Sequence, residues 1–247
     1  TGDIRKDIMF VEEIIGVKLA LSDHRAPNVT LDELVRLASD ARVAGMLSGK
    51  CGMITLHMGS DDRTLSLVEQ ALETTSIPIK IFHPTHVTRS RKLMEDAFAF
   101  ARKGGYIDMT CGSKGESAPS LCVMRAKEQG VPMQNITFSS DGMGSWSTYD
   151  EAGNLLRIGY SAVDTVYQEI KRLVQEYKMP LEEALCFGTS NTARALEIER
   201  KKGHIAPGMD ADLLLMDEDL TMNTVIAGGQ IMMENHVLLK KGTYEAE

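Results

Sequence analysis

Short apolar runs alternate with longer amphipathic segments from Gly16 to Ser139. The short apolar runs at Gly16–Leu21, 53–57, 77–86, 106–109 and 135–139 read as strands. Between them, 31–47, 64–75, 90–102 and 117–129 carry helical spacing. Gly104-Gly105 behind Arg102-Lys103 supplies a C-terminal stop for the third helix. Strands separated by helices predict βαβ units and a parallel sheet. After the fifth strand the pattern turns helical, at 163–177, 181–187 and 192–199. Strand-like runs follow at 211–216, 224–227 and 230–233, with Asn235-His236 at a hairpin turn. The expected organisation is a β/α portion over residues 1–200 and strands of a small β-domain over 201–247.

Polar residues interrupt or end these strands. Lys18 lies inside the first apolar run, His57 ends the second, His86 ends the third and Asp141 follows the fifth. In a parallel β/α barrel, the C-terminal rim of the strands holds the active site. Alternation puts His57 with Thr55, opposite Ile54 and Leu56, and puts Thr137, Ser139 and Asp141 opposite Ile136 and Phe138. Lys18 shares a face with Ala20 and Ser22.

A lysine buried in a strand loses hydration, which favours the neutral amine. A neutral amine reacts with carbon dioxide to give a carbamate, an anionic ligand able to bridge two cations. Two histidines and an aspartate on the same rim would supply nitrogen and oxygen donors suited to zinc. The bland reading stands beside this one. A lysine can snorkel, a strand-end histidine can simply be hydrogen-bonded, and Asp141-Gly142 is also a common turn.

Four stretches add a second line: GVKLALSDHR (16–25), TLHMG (55–59), PTHVTR (84–89) and SSDGMGS (139–145). In this order and at these separations they resemble the isoaspartyl dipeptidase family of the metal-dependent amidohydrolase superfamily. The tail GHIAPGMDADLLLMD (203–217) resembles the superfamily's ending, where the chain returns to a small β-domain. The resemblance implies an α/β fold, a (β/α)8 TIM barrel of the amidohydrolase type. About the last five β/α units would be present, with part of the β-domain. It implies two zinc ions bridged by carboxylated Lys18, with His57 and His86 on the second metal. Asp141 would be both a ligand of the first metal and the catalytic proton shuttle. Arg25 and Arg89 would hold substrate carboxylates, which a guanidinium fork grips in bidentate fashion, and Ser145 would lie near the substrate amino group. The implied reaction is hydrolysis of a β-aspartyl dipeptide by a hydroxide shared between the metals. The implied assembly is a homo-oligomer.

The family's His-x-His pair is absent, since no such spacing occurs in the sequence. The chain also lacks an initiator Met and a signal-peptide core, and is expected to be a piece of a longer protein. Two other readings stay open: a dihydroorotase- or hydantoinase-like cyclic amidase using the same ligands, and a non-catalytic remnant. His83 is expected to point away from His86, His24 to be structural, and His204 and His236 to be exposed. Trp146 either lines the pocket mouth or anchors a loop.

Bulk properties change this picture little. The net charge of −8 argues against a nucleic-acid partner, and no apolar run reaches the about 18 residues of a membrane span. Cys51, Cys111, Cys122 and Cys186 show no CxxC spacing and are expected to be reduced thiols in a cytoplasmic protein.

Overall fold

The computed structural model describes residues 1–23 and 29–242. Five parallel strands carry the first part of the chain: β1 (Gly16–Leu21), β2 (Met53–Met58), β3 (Phe82–Thr85), β4 (Ile107–Thr110) and β5 (Ile136–Ser139). β1, β2 and β3 form one ladder in register Lys18–Thr55 and Thr55–His83, and β4 pairs with β5 in register Asp108–Thr137. The two ladders meet through Val87 N–H, which donates to the Asp108 carbonyl at 3.4 Å, and through the Thr85–Asp108 side-chain bond. The N–H of Phe138 donates to the carbonyl of Phe187, so β5 is flanked by the segment after the helix at Leu181–Cys186. These units are those of a partial β/α barrel.

Side-chain caps mark two of the crossover helices. α2 (Leu31–Ser48) opens on a capping box in which Glu33 N–H donates to Thr30 Oγ1 and Glu33 Oε2 accepts from Thr30 N–H. It stops at Gly49, whose φ of 71° is the left-handed cap. Its buried stripe of Ala38, Ala41, Ala44 and Gly45 lets it approach the start of β2 closely. α3 (Ser66–Thr74) and α5 (Pro119–Glu128) fill the next crossovers, and α4 (Arg91–Arg102), capped by Ser90, buries Leu93, Met94, Phe98 and Phe100. The side chains of β2–β5 that face these helices, Ile54, Leu56, Phe82, Ile107, Met109 and Ile136, belong to one continuous buried cluster with them. Fully burying an aromatic such as Phe82 or Phe98 contributes about 1.5–3 kcal/mol. This apolar shell leaves the opposite face of the strands to polar residues.

Two expectations need correction. The apolar run 77–86 yields a strand only at Phe82–Thr85, because Pro78 leads into a 3₁₀ turn at Ile79–Ile81. The chain does not turn helical directly after β5: an antiparallel hairpin intervenes, β6 (Ser145–Tyr149) and β7 (Leu155–Tyr160), closed by an Asp150 turn whose Oδ1 accepts from the N–H of Ala152 and of Asn154. A first helix, α1 (Ile4–Phe10), capped by Asp3, also precedes β1. Helices α6 (Thr165–Gln175), α7 (Leu181–Cys186) and α8 (Ser190–Ala195) follow the hairpin.

The tail forms an antiparallel sheet in the order β11-β10-β9-β8, with β8 (Leu213–Met216), β9 (Met222–Ala227), β10 (Gln230–Glu234) and β11 (Val237–Leu238). Asn235 and His236 both have positive φ, the backbone of a two-residue hairpin turn. Among the described residues, no helix is long and apolar enough to cross a membrane.

Candidate metal and substrate site

The polar face of the strands is a layered hydrogen-bonded system. Asp108, 5% exposed in the middle of β4, accepts from Thr85 Oγ1 at 2.6 Å, Ser139 Oγ at 2.6 Å and Thr137 Oγ1 at 2.9 Å. His83 lies in the same layer, its Nε2 3.1 Å from Thr137 Oγ1. Burial pushes the His83 pKa below its usual value, partly offset by the nearby Asp108 carboxylate.

One step toward the rim, His57 and His86 meet edge to face with ring centroids 4.2 Å apart and His86 Nε2 3.0 Å from His57 Nδ1. Both are buried. His86 stands just beyond β3 in left-handed backbone (φ 62°), so it leaves the alternation that fixes His83 and Thr85. The turn closed by Arg89 N–H donating to the His86 carbonyl carries Arg89 back to β2. There its guanidinium donates to the Met58 carbonyl at 2.6 Å and to His57 Nε2 at 3.1 Å. Asp23, with a side chain 2% exposed, has its Oδ2 3.6 Å from that guanidinium and 3.5 Å from His57 Nε2.

Lys18 and Asp141 form a second group, Nζ to Oδ1 3.7 Å. Lys18 departs from expectation: it is not buried, its side chain being 52% exposed. Among the described residues β1 has a single strand neighbour, β2, so its other edge is open beside the lysine. Asp141 (φ 47°) and Met143 (φ 61°) are left-handed too, as is Ser22 (φ 52°) after β1. Such conformations cost roughly 1–3 kcal/mol each and gather where function holds them. Gly144 must be glycine here, because an added Cβ would stand 2.9 Å from Asp141 Cγ and 2.7 Å from its carbonyl oxygen. Ser145 follows, exposed, opposite Tyr160 at the base of the hairpin. Trp146 packs over Gly159 and takes the Arg157 guanidinium 5.2 Å from its ring centroid, which makes it an anchor of the hairpin. Arg25 and His24 lie outside the described residues, while His204 and His236 are exposed, as expected.

The structure therefore brings His57, His86 and Arg89 together, and Lys18 with Asp141. Among the described residues no three His, Cys, Asp or Glu side chains converge as a metal-holding cluster. The histidine pair does fit a cation: nitrogens bound to one tetrahedral zinc stand about 3.3 Å apart, and the facing imidazole nitrogens are already at 3.0 Å. Sequence reasoning missed Asp108, Thr85 and Thr110 as parts of the site. The signal was present, since an aspartate inside the apolar run 106–109 is as conspicuous as Lys18 inside β1.

A family model described as the amidohydrolase family matches residues 4–232. A crystal structure of a beta-aspartyl dipeptidase from the thermophilic, keratin-degrading Fervidobacterium islandicum AW-1, in complex with a beta-Asp-Leu dipeptide, matches with TM-score 0.91 at 39% identity. The match covers 99% of this chain and 65% of that one. A second structure of beta-aspartyl dipeptidase from this organism matches at TM-score 0.87 and 38% identity, over 99% and 63% of the two chains. This chain thus spans less than two thirds of the length of either. An N-acetylglucosamine-6-phosphate deacetylase from Pasteurella multocida shares the fold alone, at TM-score 0.60 and 18% identity over 90% of this chain and 57% of that one.

Proposed function

The chain belongs to the amidohydrolase family, and from that premise we propose that its protein is a zinc-dependent dipeptidase that hydrolyses β-aspartyl dipeptides. The observation that carries this reading is the 39% identity to a beta-aspartyl dipeptidase over 99% of the chain. The retention of Lys18, His57, His86, Asp141 and Arg89 on one rim supports it.

His57 Nδ1 and His86 Nε2 would hold one cation, and Lys18, once carboxylated, would bridge it to a second held with Asp141. A zinc pair in such a place supplies Lewis acidity and lowers the pKa of water. Lys18 is half-exposed, so burial does not supply the neutral amine, and coordination to the cations would be what holds the carbamate. Asp141 would receive the proton of the attacking water at its carboxylate and deliver it to the leaving amine. Its backbone strain and the close approach of Gly144 support a fixed position for that carboxylate. Arg89 and Arg25 would each grip a carboxylate, and a β-aspartyl dipeptide carries two. Arg89 would exchange its contact with His57 for substrate while keeping its bond to the Met58 carbonyl. Ser145 would accept the substrate ammonium at the base of the hairpin.

On the same reading, residues 1–200 are the barrel portion and 201–247 the strands of a small β-domain, in a cytoplasmic homo-oligomer. A panel of β-Asp-Leu, α-Asp-Leu and dihydroorotate, given to the full-length protein with zinc, tests the activity. Turnover confined to the β-linked dipeptide is expected. Preference for the cyclic amide, or no turnover of any of the three, would reject the reading.

A further inference from the structure

Beneath the two histidines runs a chain of hydroxyls that ends on a buried carboxylate. His86 Nδ1 is 2.6 Å from Thr110 Oγ1, Thr110 Oγ1 is 3.3 Å from Thr85 Oγ1, and Thr85 Oγ1 donates to Asp108 Oδ2 at 2.6 Å. We infer that Thr110, directed by Thr85 and Asp108, is a positioning residue that fixes His86 as its Nδ1–H tautomer, leaving the Nε2 lone pair aimed at His57 and at any cation held there.

The Asp108 end sets the direction, and the arginine end is consistent with it. A hydroxyl has one proton. Thr85 gives its proton to Asp108, so toward Thr110 it can only accept. Thr110 then gives its own proton to Thr85 and accepts from His86 Nδ1–H. At the far end, a guanidinium donates and never accepts. Arg89 therefore faces a bare His57 Nε2, which leaves the proton of neutral His57 on Nδ1. That proton points at His86 Nε2, which must be bare in turn. The opposite direction would set a His57 Nε2–H against an arginine N–H, with Asp23 Oδ2 at 3.5 Å, longer than an ordinary N–H···O bond. The Thr110–Thr85 link, at 3.3 Å, is the longest of the set, and it is the step that the Thr110 and Thr85 variants test.

Asp108 suits the role of anchor because it is held from both sides. Ser139 shares its Oδ2 and Thr137 takes Oδ1, so three hydroxyls from β3 and β5 lock a carboxylate on β4. An imidazole that ligates metal through one nitrogen is oriented through the other, and loss of such a partner lowers metal affinity about 10–100-fold. The inference deepens the proposed function and rests on it for the cation, but the tautomer is measurable without metal or substrate.

The test compares ring-nitrogen NMR spectra of ¹⁵N-histidine-labelled, metal-free full-length protein, assigned with a His86→Gln variant, with zinc affinity measured by competition against a chelating dye. Wild-type protein should show His86 protonated at Nδ1 and bare at Nε2. Thr110→Val should lose that single tautomer and bind zinc about 10–100-fold more weakly, at a melting temperature close to wild type. Thr110→Ser should restore both properties, and Thr85→Val should fall between. If Thr110→Val folds poorly, the serine and Thr85 variants carry the comparison. An unchanged His86 tautomer and unchanged zinc affinity in Thr110→Val would overturn the inference while leaving the dipeptidase reading intact. A tautomer shift in a protein that turns over no β-aspartyl dipeptide would do the reverse.

Discussion

Replacing Gly59 by alanine should damage the site without touching any charged or metal-ligating group. Gly59 follows β2, and its N–H donates to the Leu21 carbonyl at 2.9 Å. A Cβ added there would lie 2.0 Å from the Ser22 carbonyl oxygen, 2.6 Å from its carbon and 2.4 Å from Asp23 Cα. All three are backbone atoms, so no side chain can swing away. Restoring ordinary contact requires a shift of at least about 1 Å in the segment that carries Asp23. Overpacking of this kind costs typically 1–3 kcal/mol, and the Gly59–Leu21 hydrogen bond adds about 1 kcal/mol if it breaks. The sum, about 2–4 kcal/mol, corresponds to a fall in Tm of roughly 4–16 °C for a chain of this size. Gly49→Ala is the contrast. Its Cβ meets nothing within 4 Å but its φ is 71°, so the cost is conformational, about 1–2 kcal/mol, and Asn should recover most of it. Thermal unfolding followed by circular dichroism reads all three variants, and β-Asp-Leu turnover reads the displacement of Asp23. A Gly59→Ala protein that melts and turns over like wild type would refute the packing of β2 against the segment after β1.

Three further outcomes follow from the same geometry. His83 is buried as the neutral imidazole, its pKa depressed by burial. The unfolded chain therefore binds the extra proton first, and stability falls as pH drops below about 6.5, by up to about 1.4 kcal/mol per pH unit; urea unfolding between pH 5 and 8 should show this slope, and His83→Gln should flatten it. Burial raises the thiol pKa of Cys51 and Cys122 to about 11 and that of Cys111 further still, so iodoacetamide at pH 8 should label only the partly exposed Cys186 in native protein and all four cysteines in urea, as mass spectrometry would count. Gly144→Ala should press on the Asp141 carboxylate and lower kcat about 10–100-fold with a far smaller change in KM, since the substrate arginines are untouched; equal losses in both would contradict Asp141 as the proton carrier.

The β/α portion was legible because its helices announce themselves chemically. Thr30 and Glu33 form the capping box, Ser90 caps α4, and Gly104 ends it with a φ of 96°. The five strands were legible because helices cover one face and demand apolar residues there. The β6–β7 hairpin was not, since its strands are exposed on both sides and no burial pattern selects Leu155, Ile158 or Tyr160. His57, His86 and Asp141 stood out as polar residues ending apolar runs, but the left-handed turns that re-aim His86 and Asp141 are tertiary outcomes. Lys18 was misjudged for a similar reason. Its apolar neighbours predict burial, while exposure depends on which strand lies at its other edge. Asp108 is visible as a charge inside an apolar run, but its role is not, because its hydroxyl partners come from β3 and β5, distant in sequence and adjacent only across the sheet.

An anomalous difference map at the zinc edge, from crystals of the full-length protein grown with zinc and bicarbonate, bears most directly on the chemistry proposed for the rim. A zinc peak about 2.0–2.1 Å from His57 Nδ1 and His86 Nε2, with carboxylate density extending from Lys18 Nζ, is the predicted result. An unmodified amine at Lys18 and no anomalous signal beside the two imidazoles would contradict it.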